Sequence, residues 1–483
     1  MLQEGVFVIP RLLFRQTRYP DGGSPPHVLN RFLYLLLPAA LAAQSSTQAS
    51  LSQKVVGDWL GSLDLGAARL RLVVHLTATA EGLTATLDSP DQNANGLPVT
   101  SATLDGATLD GATLDGATLT LVLKNLGATY SGQVSADRAE IVGTFTQGGR
   151  PLPLTLKPLK DMASLRRNRP QNPVKPYPYR EEEVTYENKA AGFRLAATLT
   201  IPPGKGPFPA VVLITGSGPQ DRDETILDHR PFLVLADFLT RRGFAVLRAD
   251  DRGVAKSGGN FATATTSDFA TDAEAGLAYL RTRAEADPKK LGLIGHSEGG
   301  IIAPIVAARD PGVAFIVLLA GSAVRGDELL VAQVTALAVA RGATQEQAAA
   351  VAKQEREVIQ LVQSPAPDSE IPAPAKPMRS PWFREFLAYD PAPALRKVQC
   401  PVLALNGSKD TQVPPGQNLP AIRKALEEGG NKRFETAELP GLNHLFQTAK
   451  TGSPTEYGDI EETLAPAALR KVADWLTKIL LAR

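Results

Sequence analysis

One serine of this chain stands in a context that could make it a nucleophile. The pentapeptide at residues 295–299 reads Gly-His-Ser-Glu-Gly, with Ser297 at its centre. An apolar run precedes it and a helical pattern follows it, which predicts a strand, a sharp turn and a helix. Ser297 would then lie at a helix N-terminus, where free N–H groups and the helix dipole favour a developing negative charge. The alternative is a glycine-rich turn in which the serine only caps the helix.

A serine nucleophile needs a base and an acid that orients the base, because a free hydroxyl is a poor nucleophile at neutral pH. On a turn of this kind the acid and then a histidine follow the serine along the chain. The chain has five histidines, and His444 is the only one after Ser297. Asp410 follows the preceding strand-like run and is the predicted acid, with Asp390 and Asp459 as alternatives. The pattern predicts a Ser–His–Asp arrangement.

The negative charge formed by such an attack would need two N–H donors. One is the backbone N–H of Glu298, which directly follows the serine. The other would come from the glycine-rich loop at 215–223, where Ser217 and Gly218 are equally good candidates. Glycine in this loop would let the backbone approach a bound substrate.

The elements that must position these residues begin at about residue 181. Near-continuous apolar strands alternate there with helical patterns, which predicts a mostly parallel sheet covered by helices on both faces over 181–483. The alternation stops at about 321–390, a helical and proline-rich insertion interpreted as a cap over the site. Its aromatic residues could line an acyl pocket or anchor the cap to the core. These residues are Trp382, Phe383 and Phe386.

The chain before residue 181 has a different organisation. Short alternating strands and turn signals over 54–160 predict a small antiparallel β domain, either a barrel or a sandwich. It contains a tandem Ala-Thr-Leu-Asp-Gly repeat at 102–116, interpreted as an expanded hairpin tip with Asp-Gly turns. The proline-rich segment 161–180 is expected to be a stiff, extended linker whose basic residues are solvated.

Residues 1–53 are expected to be a leader and a short linker. A basic residue, a short apolar core and Ala40-Leu41-Ala42 lie within 31–43, which predicts a signal peptide and export to the periplasm or the medium. About thirty residues precede this segment, so we hypothesise a true start near Val28. The alternative is a core helix or strand of a cytoplasmic protein.

Composition narrows the class of partner. The 483 residues are 43% hydrophobic and 21% charged with a net charge of +1, so neither nucleic acid nor an anionic membrane is an expected partner. A single cysteine excludes an internal disulfide. No cofactor motif, metal-ligand spacing or segment long enough for a membrane span is present. A small-molecule substrate and no cofactor or metal are expected, and the oligomeric state is left open.

Five motifs in order resemble the bacterial EstD-like carboxylesterases of the α/β-hydrolase superfamily. They cover about residues 180–483 and lie at 216–223, 251–253, 295–300, 406–410 and 443–447. The resemblance implies an α/β-hydrolase fold, with the β domain similar to the N-terminal extension of some members. It also implies a serine esterase for short acyl esters, with Ser297, Asp410 and His444 as its triad.

Two other functions are compatible with the sequence. A peptidase for small peptides would need an acidic anchor for the substrate amine, and the acidic residues of the cap are scattered. A carbohydrate- or envelope-binding protein would use the β domain, but the Ser–Asp–His order argues against an inactive hydrolase domain.

Overall fold

The computed structural model describes residues 55–480, apart from 66–68, 81, 93, 106–107, 111–112, 116 and 373–374. It divides into two compact units, with the boundary between Arg166 and Arg167. The segment 31–43 lies outside the described residues, so the signal peptide stays a prediction.

The first unit is a closed antiparallel barrel rather than a sandwich. Eight strands follow one another in the order β2-β1-β11-β10-β9-β8-β5-β3, and pairing of β3 with β2 closes the ring, while β4 pairs with β3 outside it. Side chains alternate between buried and exposed along strands such as β9, as a half-buried strand requires. The strands are β1 (Gly57–Asp64), β2 (Arg69–Thr79), β3 (Gly82–Ser89), β4 (Ala94–Pro98), β5 (Ser101–Asp105), β6 (Thr108–Asp110), β7 (Thr113–Asp115), β8 (Thr118–Leu123), β9 (Ala128–Val134), β10 (Ile141–Gln147) and β11 (Arg150–Pro158).

The tandem repeat forms one long hairpin. Strand β5 pairs with β8, with Asp105 opposite Thr118, and β6 pairs with β7, with Thr108 opposite Asp115. Both pairs have the same register, so β6 and β7 continue the β5–β8 hairpin. The expectation of an expanded hairpin is confirmed. However, Asp105 and Asp115, from the first and third Asp-Gly pairs, lie in paired strands, so these aspartates do not begin separate turns.

The second unit is built on an eight-stranded mixed sheet. The strand order is β12-β13-β15-β14-β16-β17-β18-β19, and pairing is parallel from β15 to β19 and antiparallel at the β12 edge. Strands β14, β17 and β18 are buried almost throughout, which explains their continuous apolar runs. The strands are β12 (Arg180–Asn188), β13 (Phe193–Ile201), β14 (Phe208–Ile214), β15 (Ala245–Ala249), β16 (Ala286–His296), β17 (Phe315–Leu319), β18 (Val402–Gly407) and β19 (Phe434–Leu439).

Helices cover both faces of this sheet. Val211 and Leu213 of β14 share a core with helices α1 and α9, whereas Val212 between them faces Gly276 of α2. Successive strand residues point to opposite faces, so these helices lie on opposite sides. The α/β-hydrolase fold is therefore confirmed. The helices are α1 (Pro231–Thr240), α2 (Thr266–Arg281), α3 (Gly299–Arg309), α4 (Gly326–Ala340), α5 (Gln345–Gln363), α6 (Pro381–Ala388), α7 (Ala392–Lys397), α8 (Pro415–Glu428) and α9 (Pro466–Leu480).

The insertion between β17 and β18 contains the helices α4, α5 and α6. The helical pattern at 329–362 is broken into two helices at Gly342, whose φ is 85°. The next helix starts at Thr344, whose side chain accepts from the N–H of Gln347 while the Gln347 side chain accepts from the N–H of Thr344. This capping box satisfies two free N–H groups and ends the turn between the helices.

The expected linker at 161–180 packs against the second unit at one of its arginines. Arg169 is only 8% exposed. Its guanidinium donates to the backbone carbonyls of Leu227 (2.9 Å), Gly458 (3.0 Å) and Ile460 (2.8 Å). The expectation of solvated basic residues was therefore wrong for Arg169, because three carbonyl oxygens replace water around its charge.

The described residues contain no candidate membrane-spanning helix and no candidate metal site. None of their helices combines the length and the apolar character needed to cross a bilayer. Within the same ranges, no group of His, Cys, Asp and Glu side chains is arranged to hold a metal ion.

Candidate active site

The strand order brings the sequence motifs to one edge of the sheet. Strands β14 and β16 are parallel neighbours, with Ile214 opposite Gly295, although β15 separates them in sequence. The loop after β14 and Ser297 after β16 therefore leave the sheet side by side. Strands β18 and β19 are also neighbours, and they lead to Asp410 and His444. A crevice at the carboxyl ends of strands, where the strand order reverses, is the usual ligand site of such sheets.

Ser297 occupies a strained turn. Its φ is 54°, in the left-handed region that non-glycine residues seldom adopt, and its N–H donates to Leu319 O at 2.8 Å. The turn is also crowded, because a Cβ on Gly295 would lie 1.9 Å from Gly299 O. Glycine is therefore needed at position 295 for steric reasons. The strain and the flanking helix α3 are what an exposed nucleophile on a strand–helix turn requires.

His444 and Asp410 form a buried pair. Each is 4% exposed, and His444 Nδ1 lies 3.0 and 2.9 Å from the two carboxylate oxygens. Asp410 Oδ1 also accepts from the N–H groups of Gln412 and Val413, which fix the carboxylate. A carboxylate only accepts, so the proton belongs on Nδ1 and Nε2 is left free to act as a base.

The two alternative acids lie elsewhere. Asp390 and Asp459 are exposed, and neither contacts His444 in the described part of the chain. Of the three aspartates that the sequence offered, the structure brings Asp410 to His444.

The residue that contacts His444 in the Ser297 turn is His296, the neighbour of Ser297 in the chain. The His296 and His444 rings are 4.9 Å apart between centroids, and His296 Nε2 donates to the His444 carbonyl oxygen at 3.0 Å. No hydrogen bond joins Ser297 to His444 among the described contacts. The structure thus pairs His444 with Asp410 and places Ser297 one residue away from the ring that packs on His444.

The loop after β14 lies against Ser297. A Cβ on Gly216 would lie 3.2 Å from Ser297 Cβ, a tight contact, so the loop backbone packs closely on the serine. The Gly216 N–H donates to Glu224 Oε1 at 2.8 Å and is not free for a substrate. Among the described contacts, the N–H groups of Ser217, Gly218 and Glu298 have no acceptor. The three predicted oxyanion donors are therefore all available, and the choice between Ser217 and Gly218 stays open.

Asp251 accepts hydrogen bonds from two residues of this loop. It accepts from Thr215 Oγ1 at 2.7 Å and from the Gln220 N–H at 2.8 Å. Burial raises the pKa of Asp251 well above its ordinary value, against these two hydrogen bonds, which lower it. The neighbouring Asp250 pairs with Arg222 at 2.8 Å. The two aspartates of the Asp-Asp-Arg-Gly motif at 250–253 thus fix the loop at 215–223 beside the site.

The Glu298 side chain connects the turn to the cap. It accepts from Thr266 Oγ1 at 2.6 Å and from Trp382 Nε1 at 2.8 Å. Burial raises the pKa of Glu298, although these hydrogen bonds oppose the shift. Phe383 and Phe386 are buried beside Trp382.

The cap aromatics Trp382, Phe383 and Phe386 were expected either to line an acyl pocket or to anchor the cap to the core. Their contacts match the anchoring role. The acyl pocket stays a prediction. A crevice beside Gly216 and Glu298 is lined by other apolar side chains, including Tyr186, Phe261 and Phe269.

The sequence analysis identified neither Glu224 nor His296 as a residue of the site. Glu224 Oε1 lies 2.9 Å from His296 Nδ1, so the site contains a second buried His–carboxylate pair. The available signal was that Glu224 directly follows the 216–223 motif and His296 lies inside the pentapeptide.

Comparisons with known proteins agree with this geometry. A family model described as X-Pro dipeptidyl-peptidase (S15 family) matches residues 191–429. The esterase EstD of Thermotoga maritima is 27% identical over 315 residues, which cover 63% of this chain and 69% of that protein. These similarities support an EstD-like serine hydrolase of the α/β-hydrolase superfamily. The resemblance drawn from the five motifs is confirmed.

Solved structures resemble the hydrolase less closely. The α/β-hydrolase GrgF from a Penicillium species is 16% identical with a TM-score of 0.42, covering 63% of this chain and all (100%) of that one. The Pyrococcus furiosus esterase Pf2001 is also 16% identical with a TM-score of 0.40, covering 65% of this chain and 97% of that one.

Proposed function

We propose that this EstD-like hydrolase is a carboxylic ester hydrolase acting on short-chain esters through an acyl-enzyme on Ser297. The observation that carries the proposal is the buried His444–Asp410 pair, with His444 packed against the neighbour of Ser297. EstD of Thermotoga maritima is itself named an esterase. No described group of side chains offers a competing metal site.

In the first half of the proposed reaction, Ser297 Oγ attacks the ester carbonyl carbon while His444 Nε2 takes the hydroxyl proton. The carbonyl π electrons move to oxygen, and that oxyanion accepts hydrogen bonds from the Glu298 N–H and from the N–H of Ser217 or Gly218. The tetrahedral intermediate collapses, the C–O bond to the alcohol breaks, and the alcohol leaves with the proton from His444.

In the second half, water enters in place of the alcohol. His444 takes a proton from water, the hydroxide attacks the acyl carbon, and the acid leaves as Ser297 recovers its proton. Asp410 accepts from Nδ1–H throughout and stabilises the imidazolium without taking the proton itself. The net reaction consumes one ester and one water and needs no cofactor.

The proposal is tested with Ser297→Ala and a short p-nitrophenyl ester. The variant should lose several orders of magnitude in kcat and should no longer be labelled by a fluorophosphonate. Ser131→Ala, at an exposed barrel serine, is the matched control and should keep both properties. Near-native turnover by Ser297→Ala would refute the proposal, and a labelled Ser297 without ester turnover would point to another acyl substrate.

A peptidase is the second candidate, and the match to the S15 peptidase family favours it. The acidic residues of the cap do not form an amine anchor. Glu355 is buried, Glu357 and Glu370 are exposed, and Asp368 pairs with Arg379 at 3.2 Å. Matched ester and anilide substrates with the same acyl group decide between the two candidates, because only a peptidase would turn over the anilide at a comparable rate.

Export is a separate proposal that rests on the sequence of residues 31–43. N-terminal sequencing of the native product should give a mature end shortly after Ala42. A mature protein that begins near Met1 would refute it.

A further inference from the structure

We propose that Glu224 and His296 are positioning residues that together hold the oxyanion loop and the His444 loop around Ser297. The inference rests on the proposed function, because it assigns these residues to the same reaction. Neither residue touches the reacting atoms, so neither is a catalytic residue.

Glu224 fixes the position of the oxyanion loop. A single oxygen, Oε1, accepts from the Gly216 N–H at 2.8 Å and lies 2.9 Å from His296 Nδ1. Gly216 in turn lies against Ser297, and the candidate donors Ser217 and Gly218 follow it directly. A shift of Glu224 would therefore move the donor loop relative to the serine.

The backbone at Glu224 supports a functional role for this residue. Its φ is 54°, and Leu227 and Asp228 in the same segment also have positive φ values, of 51° and 66°. Such conformations are unfavourable for residues other than glycine and persist where the surroundings enforce them, often at active sites. Glu224 is only 5% exposed, so the strained turn points a carboxylate inward.

His296 connects that carboxylate to the His444 loop. Its Nε2 must carry a hydrogen, because the His444 carbonyl oxygen 3.0 Å away can only accept. Its Nδ1 faces the Glu224 carboxylate, so the ring that satisfies both contacts is an imidazolium. Burial alone would lower the pKa of His296, but the Glu224 carboxylate, the His444 carbonyl and Asp410 together raise it, and the net shift is upward. The charged pair is neutral overall and joins the two loops.

The expected effect on kcat and KM follows from the stage of the reaction at which the oxyanion donors act. The oxyanion donors stabilise the transition state and not the bound ester, so a displaced loop should lower kcat and leave KM nearly unchanged. A displacement near 1 Å at a catalytic group can cost about 100-fold in rate.

The test is Glu224→Gln in the full chain, assayed with a short p-nitrophenyl ester. Gln can accept from the Gly216 N–H but cannot balance an imidazolium, so His296 should lose its Nδ1 proton. We expect kcat to fall by about 100-fold with KM close to the wild-type value. In the proton NMR spectrum, the far-downfield imidazole N–H signal of His296 should disappear, while that of His444 persists until Asp410→Asn removes it.

The matched control is Asp58→Asn, which alters another His–carboxylate pair. His75 Nδ1 lies 2.6 Å from Asp58 in the barrel, which contains no triad residue. This variant should keep wild-type kinetics. If Glu224→Gln does not fold, His296→Gln replaces it, with the same expected loss confined to kcat.

Three results would overturn the inference. They are a wild-type kcat in a folded Glu224→Gln variant, a change confined to KM in that variant, and a His296 N–H signal that survives in it. Any of these three results, together with an inactive Ser297→Ala, leaves the proposed function standing. Full activity of Ser297→Ala would refute the proposed function instead.

Discussion

Glu355 in the cap is a carboxyl at a core position. Helix α5 buries Ala348, Ala352, Glu355, Ile359 and Val362, a spacing that forms one apolar stripe along the helix. Glu355 is 7% exposed and receives no hydrogen bond or ion pair from the described residues. Burial therefore raises the pKa of its carboxyl from 4.5 to about 7.

The sign of the effect on stability follows from proton binding. The folded chain binds the Glu355 proton more tightly than the unfolded chain does. The contribution to stability is thus complete below pH 4.5 and is lost as the pH rises to about 7. Each pH unit in this window is worth about 1.4 kcal/mol, so the loss amounts to about 3 kcal/mol above pH 7.

Glu355→Gln removes the charge and keeps the shape of the side chain. We expect the variant to be up to about 3 kcal/mol more stable than the wild type at pH 8 and to match it at pH 4.5. Urea unfolding followed by tryptophan fluorescence measures the difference, since Trp382 lies in the cap. Glu357→Gln, exposed on the same helix, is the control and should change little. Equal stability of Glu355→Gln and the wild type at pH 8 would show that Glu355 is paired or hydrated in solution.

Two further predictions concern the site and the loop behind it. Asp410→Asn should lower kcat on a short ester by roughly 10³- to 10⁴-fold, because His444 loses the carboxylate that fixes its tautomer. Asp459→Asn is the control and should not lower kcat in this way. Similar losses in both variants would contradict the assignment of Asp410. His229 is buried, and burial lowers its pKa from 6.5 to about 4. Its contribution to stability is therefore complete above pH 6.5 and falls by about 3 kcal/mol as the pH drops to 4. His229→Gln should reduce this pH dependence in urea unfolding at pH 7.5 and pH 4.5, and an unchanged difference between the two pH values would contradict the reasoning.

Much of the fold follows from local patterns in the sequence. The alternation predicted for 181–483 corresponds to the strands of the mixed sheet and the helices between them. The split of the cap helix at Gly342 was missed although its Thr344 capping box was present in the sequence. The choice of a barrel over a sandwich depended on the pairing of β2 with β3, which the alternation of side chains does not specify.

The sequence by itself determined the serine and the histidine. The strand–turn–helix pattern identifies Ser297, and counting leaves His444 as the only histidine after it. Both inferences use only neighbours in the chain and the order of residues along it.

Only the tertiary structure decided which aspartate meets His444, that Glu224 pairs with His296, and that Trp382 donates to Glu298. These partners are 34, 72 and 84 residues apart in sequence. Which of them meet depends on strand order and on the direction of each side chain at the sheet edge. Local periodicity encodes neither, because it reports which face of an element is buried and not what lies against that face.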